Sequence, residues 1–173
     1  MYKYLIPFLL TTLLLSACSG FFETDNTPEP TPLVQFTPEI QPKKLWSTRA
    51  GSGADDEYLK IGPAIGETTI FTTSLKGTVT AINKTTGKKA WQTATGIPLT
   101  TSPSLGDGIV VAASRKGDVL ALDQQTGRLL WKKTLPNEFL ATPAIGNGLV
   151  VTKATDGAIR AFSAKDGAEA WSF

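Results

Sequence analysis

The hydrophobic and polar positions of residues 43–173 recur with a period of 40 residues. Short apolar runs of strand length alternate with glycine-containing turns, without the apolar spacing of a helix. The aligned units have no gaps and read PAIGETTIFTTSLKGTVTAINKTTGKKAW, PSLGDGIVVAASRKGDVLALDQQTGRLLW and PAIGNGLVVTKATDGAIRAFSAKDGAEAW. This repetition predicts three copies of one unit built from β-strands.

Each unit is predicted to form four short strands. In the first unit these are a brief strand at 63–65, a second at 69–74, a third at 78–82 and a fourth that contains Trp91. In the other units the second strands are predicted at 109–114 and 149–154, and the third strands at 119–122 and 158–162. The fourth strands of those units contain Trp131 and Trp171.

Two turns of each unit have a residue pattern that specifies their geometry. The hairpin between the second and third strands ends in a glycine that is predicted to adopt a positive φ, at Gly77, Gly117 and Gly157. The turn before the fourth strand ends in a glycine expected to be left-handed, at Gly87, Gly127 and Gly167. The polar residue that opens this turn is expected to accept hydrogen bonds from its backbone amides, at Asn83, Asp123 and Ser163.

Repeats of about 40 residues with four strands each are typical of a β-propeller. We therefore expect an all-β chain of four-stranded antiparallel blades at 61–100, 101–140 and 141–173. A blade is apolar on both faces, so it is stable mainly when it stacks on its neighbours. The recurring tryptophans are expected to pack on the next blade rather than to bind a ligand, and they are Trp46, Trp91, Trp131 and Trp171.

The N-terminal residues have the pattern of a targeting segment. Lys3 precedes an apolar run at 5–15, which is too short to cross a bilayer core of about 30 Å but suits a secretory signal peptide. The run ends in Leu-Ser-Ala-Cys, which resembles a bacterial lipobox and implies cleavage before Cys18 and lipidation of that cysteine. We expect a signal peptide at 1–17 and a Pro-rich, semi-rigid tether at 18–42. The alternative is an ordinary signal peptide in which the cysteine is incidental.

The amino-acid composition restricts which catalytic, metal-binding and nucleic-acid-binding functions are possible. The 173 residues include no histidine and one cysteine, and the formal net charge is +2. Histidine-dependent catalysis, histidine metal sites and intrachain disulfides are therefore excluded, and a nucleic-acid partner is disfavoured. No catalytic or metal-binding residue is predicted. The acidic run at 55–57 is interpreted as a solvated connector. The lysine pairs at 88–89 and 132–133 are interpreted as solvent-facing charges or as charges that protect a strand edge.

The segment A-[ILF]-[NDS]-x-x-[TD]-G-x-x-x-W, at 81–91, 121–131 and 161–171, resembles the tryptophan-docking motif of quinoprotein-type propellers. Secreted families with this motif include the pyrroloquinoline-quinone (PQQ) dehydrogenases and the BamB family of outer-membrane assembly lipoproteins. The lipobox, the Pro-rich tether and the early Trp46 resemble the BamB family. The dehydrogenases usually carry an adjacent cysteine pair, whereas this chain has a single cysteine.

The BamB resemblance implies an eight-bladed ring in which an N-terminal strand, here within 43–60, completes the last blade. About three of those blades are present, so we expect this chain to be part of a longer protein. The resemblance implies a non-enzymatic scaffold without a cofactor, held by lipid on the periplasmic face of the outer membrane. Its implied partners are BamA, other Bam subunits and unfolded outer-membrane proteins. The residues that would bind these partners are not predicted. The alternatives are another envelope lipoprotein propeller, such as a sensor or polysaccharide-binding module, and a fragment of a PQQ dehydrogenase.

Overall fold

The computed structural model describes residues 27–53, 57–139 and 141–173. The chain divides into two compact units, Met1–Pro42 and Lys43–Phe173. In the first unit, residues 27–42 form no helix or strand and their side chains are exposed, including the apolar Leu33, Val34, Phe36 and Ile40. Within the three described ranges, no helix is long and apolar enough to cross a membrane.

The second unit contains three four-stranded antiparallel sheets, which we call blades 1, 2 and 3. In each blade the strands pair in chain order, so every blade is a meander. The strands of blade 1 are β1 Ala64–Ile65, β2 Thr69–Thr73, β3 Thr78–Asn83 and β4 Lys89–Ala94. Those of blade 2 are β5 Ser104–Gly106, β6 Ile109–Ala113, β7 Asp118–Asp123 and β8 Leu129–Thr134. Those of blade 3 are β9 Ala144–Gly146, β10 Leu149–Lys153, β11 Ile159–Ser163 and β12 Glu169–Ser172.

These sheets confirm the all-β fold of propeller-type blades that the sequence predicts. The predicted hairpin glycines have positive φ angles of 74°, 87° and 92° at Gly77, Gly117 and Gly157. Each third strand also changes register against its fourth strand at the same repeat position, for example between Ala81 and Ile82 in blade 1. A bulge at this point increases the local twist and re-aims the following side chains.

Blade 2 separates two apolar clusters, because successive side chains of a strand point to opposite faces of the sheet. On β6, Ile109, Val111 and Ala113 belong to a cluster that continues into blade 3 at Val150 and Ala154. The intervening residues of β6 belong to a cluster that continues into blade 1, which includes Phe71, Val79, Val110 and Ala112. The core of the second unit therefore lies between the blades.

The segment before blade 1 differs from the prediction. A leading strand was expected within 43–60, but residues 43–53 and 57–60 contain no strand. A strand requires a continuous backbone ladder with a neighbour, and here the segment is held by isolated contacts instead. The Thr80 hydroxyl donates a hydrogen bond to the Ala50 carbonyl at 2.8 Å, and the Trp46 indole packs on Gly87. The ring-closing role of this segment stays a prediction.

Candidate functional site

The interfaces between blades are built around a tryptophan that lies against a glycine. The indole rings of Trp46, Trp91 and Trp131 lie on Gly87, Gly127 and Gly167, respectively. A Cβ atom placed on these glycines would approach the rings to 2.6, 2.5 and 2.8 Å. Each glycine also has a φ angle between 70° and 72°. Glycine is thus required at this position both for the turn and for the close approach of the ring.

The same tryptophans are fixed in orientation by a hydrogen bond. Their indole N–H groups donate to backbone carbonyls three residues before the glycine, at distances of 2.9, 3.1 and 2.9 Å to Lys84, Gln124 and Ala164. Trp91 and Trp131 therefore dock on the following blade, as the sequence predicts, and Trp46 docks on blade 1 in the same way. The indole satisfies its polar edge while its apolar face is covered by the turn.

Trp171 and Cys18 complete the set of residues singled out by the sequence. Trp171 has the same position in blade 3, but 45% of its surface is exposed. Cys18, the predicted lipidation site, lies outside the described residues.

The turn that receives each tryptophan is stabilised by its own side chains. The Asn83 side-chain oxygen accepts hydrogen bonds from the amides of Thr85 and Thr86. Asp123 does the same for Gln125 and Thr126, and the Thr126 hydroxyl and amide lower the pKa of Asp123. These two turns confirm the expected acceptor.

The third turn uses a different arrangement, so the expectation for Ser163 is wrong. The acceptor there is Asp166, whose carboxylate takes a hydrogen bond from the Ala168 amide at 3.1 Å. This amide and the Ser163 hydroxyl lower the pKa of Asp166. In blade 2 the carboxylate is the first residue of the turn, Asp123, and the hydroxyl is the fourth, Thr126. In blade 3 these residue types are exchanged, so the Ser163 hydroxyl donates and the carboxylate acceptor is the fourth residue.

Additional polar contacts tie the first strands of neighbouring blades together. The Ser104 hydroxyl donates to the Pro143 carbonyl, and the Asp107 carboxylate accepts from the Gly148 amide at 2.9 Å. Asp107 has a φ angle of 49° and opens the tight turn between β5 and β6. Blades 2 and 3 are therefore joined near their first strands as well as at Trp131.

Blade 2 also contains a largely buried charge. The Asp118 carboxylate accepts hydrogen bonds from Ser114 and Thr134 at 3.1 and 2.8 Å, and Lys132 lies 3.1 Å from it. Burial alone would raise the pKa of Asp118, but the bonds from Thr134, Lys132 and Ser114 outweigh burial and lower it. Lys132, which was expected to face solvent, is exposed and also pairs with Asp118.

Two open grooves lie beside the docked tryptophans at equivalent positions. Groove 1, between blades 1 and 2, has a volume of about 650 Å³ and is lined by residues that include Glu67, Thr69, Ala90, Trp91, Asp123 and Gln125. Groove 2, between blades 2 and 3, measures about 400 Å³, with a lining that includes Asp107, Ile109, Asp123, Leu130, Ala164 and Lys165. Neither groove was predicted from the sequence.

The acidic residues before blade 1 do not form a metal site in the described part of the chain. Glu57 pairs with Arg115 at 3.4 Å, and residues 55 and 56 lie outside the described residues. Across residues 27–53, 57–139 and 141–173, no group of three or more Cys, Asp or Glu side chains could hold a metal ion.

Comparison with known proteins gives a family for this architecture. The model of the family described as outer membrane protein assembly factor BamB matches residues 41–111 and 75–173. The chain belongs to the BamB family. A BamB of Yersinia pestis is 38% identical over 91 residues, which are 53% of this chain and 23% of that protein. A BamB of Escherichia coli K12 is 34% identical over 89 residues, which are 51% of this chain and 23% of that protein.

Solved structures are also similar to this chain. BamB of Moraxella catarrhalis superposes with a TM-score of 0.60 at 25% identity, covering 65% of this chain and 35% of that one. A quinohemoprotein alcohol dehydrogenase of Pseudomonas putida gives a TM-score of 0.57 at 21% identity, covering 68% of this chain and 21% of that one, and shows the fold alone. The matched segment thus corresponds to about a quarter of the length of the curated BamB relatives.

Proposed function

We propose that this BamB-family chain serves in a lipid-anchored scaffold of the outer-membrane β-barrel assembly machinery. The observation that carries the proposal is the family match over residues 41–111 and 75–173, and the relatives it resembles are named assembly factors. The scaffold would act by binding BamA and other Bam subunits rather than by catalysis or through a cofactor. Unfolded outer-membrane proteins are further proposed partners.

The blade interfaces support a scaffolding mechanism. Each tryptophan is fixed by a glycine contact and by a hydrogen bond to a carbonyl, as in Trp131 with Gly167 and Ala164. Such contacts hold consecutive blades at a constant spacing, so the turns of successive blades form a rigid surface. A rigid surface binds a partner with a smaller ordering cost than a mobile one.

Lipidation of Cys18 would place this surface at the membrane. The segment between Cys18 and Lys43 is rich in proline, and its described residues 27–42 form no regular structure. Such a segment suits a spacer between the lipid and the blades. We propose that the anchor lies in the outer membrane and that the blades face the periplasm.

Affinity purification of the tagged full-length chain from detergent-solubilised envelopes tests the proposal. BamA is expected to co-purify with the chain and to be absent from a tag-only preparation. In the same experiment Cys18→Ser should remove the chain from the washed outer-membrane fraction. The absence of BamA from the purified material would contradict the scaffold. Unchanged retention of Cys18→Ser in the outer-membrane fraction would contradict the lipid anchor.

A further inference from the structure

Groove 1 differs from groove 2 in how far its tryptophan is covered. Trp131 beside groove 2 is 7% exposed, whereas Trp91 beside groove 1 is only half-buried. The two residues make the same contacts with glycine and carbonyl, so the difference does not come from docking.

The difference in exposure comes from two equivalent positions, which hold large aliphatic side chains in groove 2 and small side chains in groove 1. Where groove 2 has Ile109 and Leu130, groove 1 has Thr69 and Ala90. Loss of this aliphatic volume leaves an open space over Trp91, and the Phe71 ring lies at its base, 5.8 Å from the Trp91 ring. Groove 1 therefore exposes an aromatic wall that groove 2 covers.

The charges of the two grooves also differ. Groove 1 is lined by the carboxylates of Glu67 and Asp123, and no lysine or arginine of the described chain lines it. Groove 2 is also lined by two carboxylates, those of Asp107 and Asp123, but it has Lys165 at the position of Gln125. Glu67 is exposed and its side chain makes no hydrogen bond or ion pair with the described residues. Asp123 accepts hydrogen bonds within its own turn, and its pKa is lowered by these bonds and by the charge of Arg128, which does not line groove 1.

We propose that groove 1 binds an arginine side chain of a partner polypeptide, with the guanidinium against the Trp91 ring and facing Glu67. A planar cation stacks on an aromatic ring and pairs with a carboxylate at the same time, which an ammonium does less well. The negative lining of groove 1 complements that cation, whereas in groove 2 Lys165 offsets part of the negative charge and the tryptophan ring is covered. The inference goes beyond the scaffold proposal and does not depend on which protein supplies the arginine.

The test uses the full-length chain in detergent micelles and a model peptide, acetyl-Gly-Arg-Gly-amide. Binding is followed by the NMR signal of the Trp91 indole N–H, assigned from Trp91→Phe, with the Trp131 signal as an internal reference. We expect the arginine peptide to shift the Trp91 signal in a saturable, salt-sensitive way. The same peptide with citrulline, which has the shape of arginine without its charge, should bind about three- to fivefold more weakly.

Variants that copy groove 2 into groove 1 provide matched controls. Thr69→Ile combined with Ala90→Leu should cover Trp91 and abolish the shift. The fold should accept the two new side chains, because isoleucine and leucine occupy the equivalent positions of blade 2. Gln125→Lys and Glu67→Gln should each raise the dissociation constant about three- to fivefold. Lys165→Gln changes only groove 2 and should leave the Trp91 response unchanged.

Several results would overturn the assignment. They are equal binding of the citrulline peptide, full binding by the Thr69→Ile/Ala90→Leu variant, or no shift of the Trp91 signal at about 100 mM peptide, beyond the millimolar range of weak specific binding. These results leave co-purification of BamA untouched, so failure of this site and failure of the scaffold proposal are distinguishable.

Discussion

Blades 2 and 3 carry similar apolar strands at the same repeat position, Ile-Val-Val-Ala-Ala in β6 and Leu-Val-Val-Thr-Lys in β10. All five residues of β6 are buried, but in β10 only Val150 and Thr152 are buried. Blade 2 packs against blade 1 with one face and against blade 3 with the other, whereas the described contacts of blade 3 are with blade 2. A blade's local sequence therefore specifies its strands, and its neighbours determine how far those strands are buried.

The largest expected effect concerns the docked and exposed tryptophans. Trp131→Ala removes a ring that is 7% exposed, together with its contact with Gly167 and its hydrogen bond to Ala164. We expect a loss of about 3–5 kcal/mol in the free energy of unfolding. Trp171→Ala removes the equivalent ring of blade 3, which is 45% exposed, and should cost roughly 1 kcal/mol. Urea unfolding of the full-length chain, followed by circular dichroism, measures both.

Equal losses for the two variants would show that docking on the next blade contributes little. Trp131→Phe provides a finer control, because it keeps an aromatic plate but removes the indole N–H. Its loss should lie between those of the wild type and Trp131→Ala.

A smaller effect is expected at the hairpin glycines of the same two blades. Gly117 and Gly157 have φ angles of 87° and 92°, so alanine strains both by about 1–2 kcal/mol. At Gly117 a Cβ atom would also lie 2.1 Å from the Leu135 carbonyl oxygen, whereas at Gly157 nothing lies within 4 Å. Gly117→Ala should therefore lose about 1–3 kcal/mol more than Gly157→Ala in the same urea assay. Equal losses of unfolding free energy in the two variants would show that the backbone around Leu135 moves aside without a measurable loss of stability.

The periodicity of the sequence accounts for what the three blades share. All twelve strands and the left-handed glycines follow from positions that repeat every 40 residues, and so does the contact of tryptophan with glycine. The errors fall where the pattern is broken. Ser163 opens a turn whose acidic acceptor stands at Asp166, and Trp46 precedes Trp91 by 45 residues rather than 40 and lies in a segment without a strand.

Groove 1 could not be predicted for a related reason. It results from the small residues Thr69 and Ala90 at positions where the next blade has Ile109 and Leu130, and from a glutamine in place of Lys165. An aligned repeat shows these substitutions, but it does not show that the three positions meet around one tryptophan. Only the stacking of two blades brings them together.

The smallest expected effect is a pH dependence that belongs to blade 2. Asp118 is held by Ser114, Thr134 and Lys132, and its counterpart in blade 3 is Ala158. Its pKa in the folded chain is below the ordinary value of 3.8. The stability that it contributes is therefore present above pH 3.8 and is lost as the pH falls through the lower folded-state pKa.

Asp118→Asn should cost about 1–2 kcal/mol at neutral pH and should flatten the acid side of the stability profile. Urea midpoints measured from about pH 6 down to about pH 3 test this, with Glu138→Gln as an exposed control. An unchanged acid slope in Asp118→Asn would show that other carboxylates carry the acid sensitivity of the chain.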